Sequence, residues 1–234
     1  MVITEHTTVG EIAAAIPSSV RVFQNHNIDF CCGGRTSLAV ACRERGVSFA
    51  EVALAVEEAA TPAGRDDRDW SREPLRVLID HIVDTYHRPL RDELPRLEAM
   101  AAKVAGVHGA KAPHLSRVKA LVSELSDDLT LHMQKEERML FPAIRAIEDD
   151  RQLIMPITAP IDVMEKEHDR AGELLSELRA TTCGYLAPPW ACATFRALYQ
   201  ALAELESEMQ VHVHLENNLL FPRALQLGRS GAHG

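Results

Sequence analysis

Apolar residues recur along the second half of the chain at alternating steps of three and four positions. Two long series follow this pattern, and each is apolar until it reaches a histidine and a glutamate. The series are Leu115, Val118, Val122, Leu125, Leu129, His132, Glu136 and Met139, and Phe195, Leu198, Leu202, Leu205, Met209, His212, Glu216 and Leu219. Because this spacing places side chains on one face of an α-helix, each series predicts the buried stripe of a long bundle helix.

Two further stripes of the same kind contain His87 and His168. The four stripes predict four long helices, over about residues 73–105, 114–147, 160–180 and 191–226. Proline cannot continue the hydrogen-bond ladder of a helix, so we expect the prolines in these segments to kink or end their helices. They are Pro89, Pro95, Pro142 and Pro222.

The first part of the chain follows a different pattern of shorter helical stretches. VGEIAAAIPSSVRVFQNHNIDFCCGG predicts a short helix, a second helix that begins near a proline, and a turn, and two more helical stretches follow. Proline, glycine and charged residues then indicate a linker. The sequence thus predicts an all-α protein with a small helical N-terminal domain at 1–58, a linker at 59–71 and a four-helix bundle at 72–228. We expect the bundle to fold and to retain its metal without the N-terminal domain.

The bundle segment contains an internal repeat. HMQKEERMLFP at residues 132–142 aligns with HVHLENNLLFP at residues 212–222, so each matched residue lies 80 positions from its counterpart. Both copies carry a histidine and a glutamate four residues apart, which share one face of a helix. His87 precedes the first copy by 45 residues, and His168 precedes the second by 44. Each half therefore supplies one helix with a single histidine and one with the His-x3-Glu pair.

These residues form a candidate set of metal ligands. A lone histidine on an apolar face is more often a core residue, but the duplication at one heptad phase favours a metal site, since buried charge must be compensated. Four imidazoles and two carboxylates suit two ions, bridged by both glutamates, better than one tetrahedral zinc ion. Iron or manganese fits this ligand set, with iron favoured, and an oxo or hydroxo bridge would leave an open position for O2 or NO. The proposed ligands are His87, His132, Glu136, His168, His212 and Glu216.

Three polar residues beside these ligands receive no metal role from the pattern. Glu137 and Glu167 lie about 100° round their helices from the ligand face. We interpret them as solvated surface carboxylates, with orientation of the histidines as the alternative. His214 lies two positions after His212, which rotates it away from the core stripe.

The centre of the N-terminal domain is the sequence DFCCGG, which contains the adjacent Cys31 and Cys32. Adjacent cysteines form only a strained disulfide, so the pair is suited to binding or relaying a metal, or to passing electrons. An equally weighted interpretation is that both are small buried hydrophobic residues beside a glycine turn. Cys42 fits a core position, and Cys183 and Cys192 receive no role.

Composition narrows the range of partners. The formal net charge of -9 and the absence of a basic stripe argue against nucleic acid as a partner. No apolar run approaches the length of a membrane span, and the first residues lack the features of a signal peptide. An odd count of five cysteines argues against a disulfide framework. These features predict a cytoplasmic protein, with the oligomeric state left open and a homodimer as one option.

The motifs together resemble the repair-of-iron-centres family, the RIC or ScdA/YtfE-type di-iron proteins. TVGEIAAAIPSSVRVFQNHNIDFCCGG resembles the ScdA-type N-terminal domain, and IVDTYH, EHDRAG and the two repeat copies resemble the hemerythrin-like domain. This resemblance covers nearly the whole chain. It implies a hemerythrin-like four-helix bundle and a non-haem di-iron centre on the six residues above. It also implies that Cys31 and Cys32 are the family's cysteine pair. Pro89 and the long spacing from His132 to His168 depart from the family pattern, but neither changes a ligand.

The resemblance further implies a role in restoring iron–sulfur clusters damaged by nitric oxide or oxidants, with damaged iron–sulfur proteins as partners. Two other functions stay open at this point. One is a di-iron carrier or sensor that binds NO or O2 without repair, and the other is an oxidoreductase that turns over NO or peroxide. The cysteine pair favours repair, because a pure carrier needs no thiol domain.

Overall fold

The computed structural model describes residues 1–60, 69–149 and 156–230. Most of the predicted linker at 59–71 lies outside these residues. The chain divides into two compact units, each built from separate stretches of sequence. The first unit comprises Met1–Asp80, Ile144–Ile157 and Gln210–Gly234, and the second comprises His81–Ala143 and Thr158–Met209.

The described residues are helical apart from turns and one isolated bridge between Thr8 and Ser37. The α-helices are α1 (Val9–Ala15), α2 (Ser19–Asn25), α3 (Leu38–Arg45), α4 (Phe49–Ala59), α5 (Leu75–Ile82), α6 (Arg88–His108), α7 (Leu115–Lys135), α8 (Phe141–Glu148), α9 (Thr158–Thr181), α10 (Ala193–His214) and α11 (Phe221–Ser230). Three π-helices join pairs of them: π1 (Val83–His87), π2 (Glu136–Leu140) and π3 (Leu215–Leu220). The all-α prediction is confirmed, and the four predicted long helices correspond to α5–α6, α7–α8, α9 and α10–α11.

Local sequence explains where the N-terminal helices begin. Thr8 and Glu11 form a capping box at α1. The Thr8 side chain accepts the backbone N–H of Glu11, and the Glu11 side chain accepts the backbone N–H of Thr8. Ser37 and Ser48 cap α3 and α4 through their hydroxyl oxygens. Gly46 ends α3 with φ of 68°, a left-handed conformation that glycine adopts without strain.

The prolines do not end the long helices, because the chain continues as α-helix beyond Pro89, Pro142 and Pro222. Each of these prolines lies two residues after a π-helix, in the first turn of the next α-helix. The wide turns are marked by bonds such as the Phe141 N–H to the Glu136 carbonyl, which spans five residues. Proline donates no hydrogen bond, so it fits where the ladder returns from π to α register.

The π-helices change which residues face the core. The heptad pattern predicts a buried Met139, but Met139 is 67% exposed while Leu140 is only 2% exposed. The prediction for Met139 is wrong because a π turn contains more residues than an α turn. The helix face advances by about one position after Glu136.

Within the second unit, helices pack along the predicted apolar stripes. Helix α6 packs against α7, and α7 packs against α9. The Arg179 guanidinium on α9 donates to both oxygens of the nearly buried Glu206 on α10, at 2.9 and 3.1 Å. None of the described helices combines the length and low charge that a membrane-spanning helix requires.

Within the first unit, the N-terminal helices enclose a core of their own. Phe23 and Phe30 pack with ring centroids 6.1 Å apart, and Cys42 is buried among the same apolar residues, as predicted. Helix α1 also packs against π3, the segment that carries Glu216. The N-terminal segment therefore contacts part of the predicted bundle directly.

This contact changes the expected result of removing the N-terminal segment. A chain starting at Asp69 loses hydrogen bonds and a ring contact on π3 and the end of α10. That loss should cost about 2 kcal/mol and lower Tm by about 4–8 °C, while the helices persist. Circular dichroism melting against a control lacking only the exposed Met1 and Val2 measures the effect. An unchanged Tm would show that these contacts do not stabilise the bundle, whereas loss of the helical signal would contradict the prediction that the bundle folds independently.

Candidate metal centre

Four of the six predicted ligands lie in the second unit. His87 ends π1, His132 lies near the end of α7, Glu136 begins π2, and His168 lies on α9. All four are at most 3% exposed. The Nε2 atoms of His132 and His87 lie 3.3 and 3.4 Å from Glu136 Oε2, and the Nε2 atoms of His132 and His168 lie 3.1 Å apart. The His87 and His132 imidazoles thus point Nε2 toward the Glu136 carboxylate, and the His168 imidazole points Nε2 toward that of His132.

The other two predicted ligands lie in the first unit, on one continuous helical segment. His212 is near the end of α10 and Glu216 is in π3, and both are at most 1% exposed. His212 Nε2 lies 3.1 Å from Glu216 Oε1. This pair has the His-x3-Glu arrangement that the repeat predicts.

Each unit thus contains one buried His-x3-Glu pair of the repeat. In the second unit, His87 and His168 join that pair, so three histidines and one glutamate lie together there. The first unit contains the second pair, His212 and Glu216.

Two further carboxylates hold the inner nitrogens of the histidines. His87 Nδ1 lies 2.8 Å from Glu137 Oε1, and His132 Nδ1 lies 3.0 Å from Glu167 Oε2. The interpretation of Glu137 and Glu167 as solvated surface groups is therefore wrong, and the alternative, orientation of the histidines, describes their contacts. The sequence did not distinguish the two interpretations, because each carboxylate contacts a histidine of another helix. The periodicity of one helix does not report contacts with a second helix.

Both carboxylates are kept ionised by their neighbours. The hydrogen bond from His132, aided by Lys135, lowers the pKa of Glu167 to about 2 despite partial burial. Burial alone would raise the pKa of Glu137, but hydrogen bonds from Arg91 and His87 outweigh it and lower the pKa. An ionised carboxylate only accepts hydrogen bonds, so Nδ1 of each histidine carries the proton.

This proton placement tests whether the site fits a metal ion. With the proton on Nδ1, Nε2 of His87 and of His132 holds a lone pair directed at Glu136 Oε2, which is also an acceptor. Two acceptors at 3.3–3.4 Å repel each other unless a cation lies between them or a further proton is bound. Imidazole nitrogens and carboxylate oxygens in a buried site are the donor set of non-haem iron. The residues therefore fit a cation of that class.

The supporting carboxylates provide a direct test of this arrangement. Glu167→Gln and Glu137→Gln keep the side-chain shape but remove the charge that fixes the histidine tautomer. Each should weaken metal affinity about 10- to 100-fold. Competition with a chelator measures the affinity, and Glu177→Gln, at an exposed carboxylate paired with Arg117, serves as a matched control. Equal affinity in all three variants would contradict the assigned orientation.

The cysteine pair lies in a tightly bonded turn in the first unit. The Asp29 carboxylate accepts the backbone N–H groups of Cys31, Cys32 and Gly33, each at 3.0 Å. The two sulfurs are 3.9 Å apart and are not joined by a disulfide. The hydrogen bond to Cys32, followed by burial and the charge of Asp29, raises the pKa of the Cys31 thiol well above its usual value.

Sequence reasoning missed the residues that contact this turn. Asn217 and Asn218 of π3 donate from their side chains to the carbonyls of Cys31 and Phe30, at 3.4 and 3.0 Å. His214 is buried with its ring 5.6 Å from that of Phe30, and burial lowers its pKa to about 4. A signal was present in the repeat, because the two asparagines replace the Glu137 and Arg138 of the first copy.

Cys192, which received no role from the sequence, has an unusual environment. Its sulfur lies 3.2 Å from His108 Nε2 and accepts the Phe195 N–H at 3.4 Å. The His108 contact, followed by that N–H, lowers the pKa of this exposed thiol to about 7.

Cys192 should therefore react at a lower pH than an ordinary thiol. Its alkylation rate should rise with pH and reach half its plateau near pH 7, because only the thiolate reacts. In His108→Ala the midpoint should move up toward about 8.5. Peptide-resolved mass spectrometry follows the reaction, and Cys192→Ser should lose the fast phase. A midpoint that is the same with and without His108 would contradict this role of the imidazole.

Comparisons with known proteins agree with this architecture. Residues 78–224 match the family model of the hemerythrin HHE cation binding domain, and residues 5–60 match ScdA_N, a domain of unknown function. The chain is 42% identical over 224 residues to the iron-sulfur cluster repair protein YtfE of Pectobacterium carotovorum, covering 94% of this chain and 96% of that protein. The protein of that name from Musicola paradisiaca is 40% identical and covers 94% of this chain and 96% of its own length. The one from Escherichia coli O81 is also 40% identical and covers 93% of this chain and 96% of its own length.

Proposed function

This chain belongs to the hemerythrin HHE cation-binding family, in the ScdA/YtfE group, and on that premise we propose that it repairs damaged iron–sulfur clusters. The similarity to the repair proteins named YtfE extends over nearly the full length of both chains. It includes the N-terminal segment with the cysteine pair as well as the metal-ligand helices. The similarity therefore covers both domains and not one shared domain alone, which supports this function.

The observation that carries the proposal is the buried cluster of three histidines and Glu136 in the second unit, together with the second His-x3-Glu pair that the repeat supplies. Four histidines and two glutamates would suit two ions bridged by both glutamates, and histidine with carboxylate suits iron. The proposed centre is therefore a di-iron site on the six residues predicted from the repeat. When bound, the iron supplies redox chemistry and a place for small ligands such as NO or O2.

The chain's own residues prepare this site in two ways. Glu137 and Glu167 keep the protons of His87 and His132 on Nδ1, which leaves the Nε2 lone pairs directed inward. The burial of all six ligands replaces water with protein groups around the site. Both effects strengthen electrostatic interactions with a cation, because the local dielectric constant is low.

Cys31 and Cys32 are the proposed thiol relay between this site and a damaged cluster protein. Their adjacent sulfurs can hold iron as soft ligands. Alternatively, the two thiols can join in a disulfide, releasing two protons and passing one electron to each of two ferric ions, and the disulfide is readily reduced again by a thiol reductant. The Asp29 turn presents Cys32 at partial exposure, so a partner has access to at least one sulfur. This placement favours repair over a carrier or sensor that only binds NO or O2.

The decisive experiment measures transfer to a cluster protein. Iron-loaded chain is mixed with a target enzyme whose cluster has been destroyed by NO, in the presence of sulfide and a reductant. We expect the target's cluster absorbance and activity to return faster than with the same concentration of free ferrous iron. If the metal-loaded chain adds nothing to free iron, while it still binds NO, the carrier or sensor function replaces the repair proposal.

A further inference from the structure

Asn218 lies on the helical segment that carries His212 and Glu216, and its side chain reaches the cysteine turn. Its side-chain amide nitrogen donates to the Phe30 carbonyl at 3.0 Å and lies 3.0 Å from His214 Nδ1. Phe30 directly precedes Cys31, and His214 lies one turn before Asn218. One amide group thus contacts both segments.

Two glycines from separate segments leave room for this amide. A Cβ atom on Gly10 or on Gly34 would lie 2.5 Å from Asn218 Oδ1, which is closer than atoms can approach. The Gly10 N–H donates to the Gly34 carbonyl at 2.8 Å, so the start of α1 and the cysteine turn meet at this point. The close approach of Asn218 and of neighbouring backbone carbonyls, rather than a positive φ, therefore favours glycine at both positions. The carbonyls are that of Gly34, 2.8 Å from a Cβ on Gly10, and that of Phe30, 3.1 Å from a Cβ on Gly34.

The cysteine turn has a backbone conformation that is fixed by hydrogen bonds. Three consecutive N–H groups bond to the Asp29 carboxylate, so the backbone from Cys31 to Gly33 is held in one conformation. A shift of the Phe30 carbonyl displaces both sulfurs together. Asn217 adds a second, longer bond at 3.4 Å to the Cys31 carbonyl.

We propose that Asn218 is a positioning residue that docks the Cys31–Cys32 turn onto the Glu216-bearing π-helix, so that a chemical change at the sulfurs alters the metal site. The amide contacts the residue before the thiols on one side. On the other side the Asn218 amide contacts His214. Glu216 lies midway between these two residues in sequence, two positions from each. The coupling to the metal site rests on the proposed function, because it requires a bound metal. The docking of the turn does not.

The docking half is tested by the reactivity of the two thiols in the full-length chain, with and without iron. In Asn218→Ala we expect Cys31 and Cys32 to be alkylated about tenfold faster, the effect of losing one or two hydrogen bonds. Cys42 is buried in the N-terminal core and reports on unfolding, so its rate should stay unchanged. Gln200→Ala, at an exposed side chain of α10, is the control substitution. Equal rates for Cys31 and Cys32 in wild type and Asn218→Ala would overturn the docking.

A double-mutant cycle separates docking from general loosening. Gly34→Ala places a methyl group against the Asn218 amide and should also expose the thiols. In the Asn218→Ala background the contact with the amide disappears and only the Phe30 carbonyl, at 3.1 Å, remains close to the new methyl group, so Gly34→Ala should have a smaller additional effect. Additive effects of the two substitutions would mean that Asn218 does not act at Gly34, contrary to the proposal.

The coupling half is tested by spectroscopy of the iron-loaded chain. Alkylation of Cys31 and Cys32 should shift the electron paramagnetic resonance spectrum of the centre in wild type but not in Asn218→Ala at equal iron content. No shift in wild type, or the same shift in the variant, would overturn the coupling. If the wild-type chain binds no iron, the proposed function and the coupling both fail, whereas the alkylation rates still decide whether Asn218 docks the turn.

Discussion

Replacing Glu216 with alanine should remove nearly all the iron from the chain, whereas replacing His168 should remove about half of it. The difference follows from the proposed centre, in which Glu216 would bind both ions and His168 would bind only one. The expected complement is about two irons per wild-type chain, about one in His168→Ala and close to none in Glu216→Ala. Metal analysis after gel filtration measures these values.

The controls must separate lost ligands from lost folding. His81→Ala removes a histidine six residues before His87 that is not a proposed ligand, so the variant should keep both irons. Glu216→Gln keeps the side-chain volume, and circular dichroism reports whether each variant stays helical. A full iron complement in both Glu216→Ala and His168→Ala would show that the metal centre is assigned to the wrong residues.

Replacing both Cys31 and Cys32 with serine should abolish repair while leaving the fold and two irons in place. Serine changes the side-chain volume little, but it removes the soft sulfur ligands and the thiol–disulfide couple. No ligand of the proposed centre is altered. We expect restoration of an NO-damaged cluster enzyme to fall at least about tenfold, as expected for loss of a reacting group. Repair rate, iron content and Tm should be measured on one preparation.

The matched control is Cys42→Ser, which replaces a cysteine of the N-terminal core. It should lower Tm without lowering the repair rate per folded chain, because burying a hydroxyl is unfavourable but no reacting sulfur is lost. Repair at the wild-type rate in the Cys31→Ser, Cys32→Ser chain would mean that the pair only packs, which is the other interpretation of the DFCCGG sequence.

The sequence by itself determined the helices and the positions of the candidate ligands within them. Apolar spacing of three and four reports which face of a helix is buried, and this property is local to each helix. His132 with Glu136, and His212 with Glu216, lie four residues apart, so one helical turn brings each pair together. Duplication of that pair made the interpretation specific, since the two copies share the same heptad phase.

Only the tertiary structure decided which residues surround those ligands. Glu137 and Glu167 bond to histidines 50 and 35 residues away, and Asn218 bonds to Phe30 from 188 residues away. The periodicity of one helix carries no information about partners on another. The Met139 side chain is exposed because it lies in a π-helix, and the heptad pattern does not predict π-helices. Which polar residues orient the histidines and hold the cysteine turn is therefore set by long-range packing, whereas the ligand pairs follow from helical geometry alone.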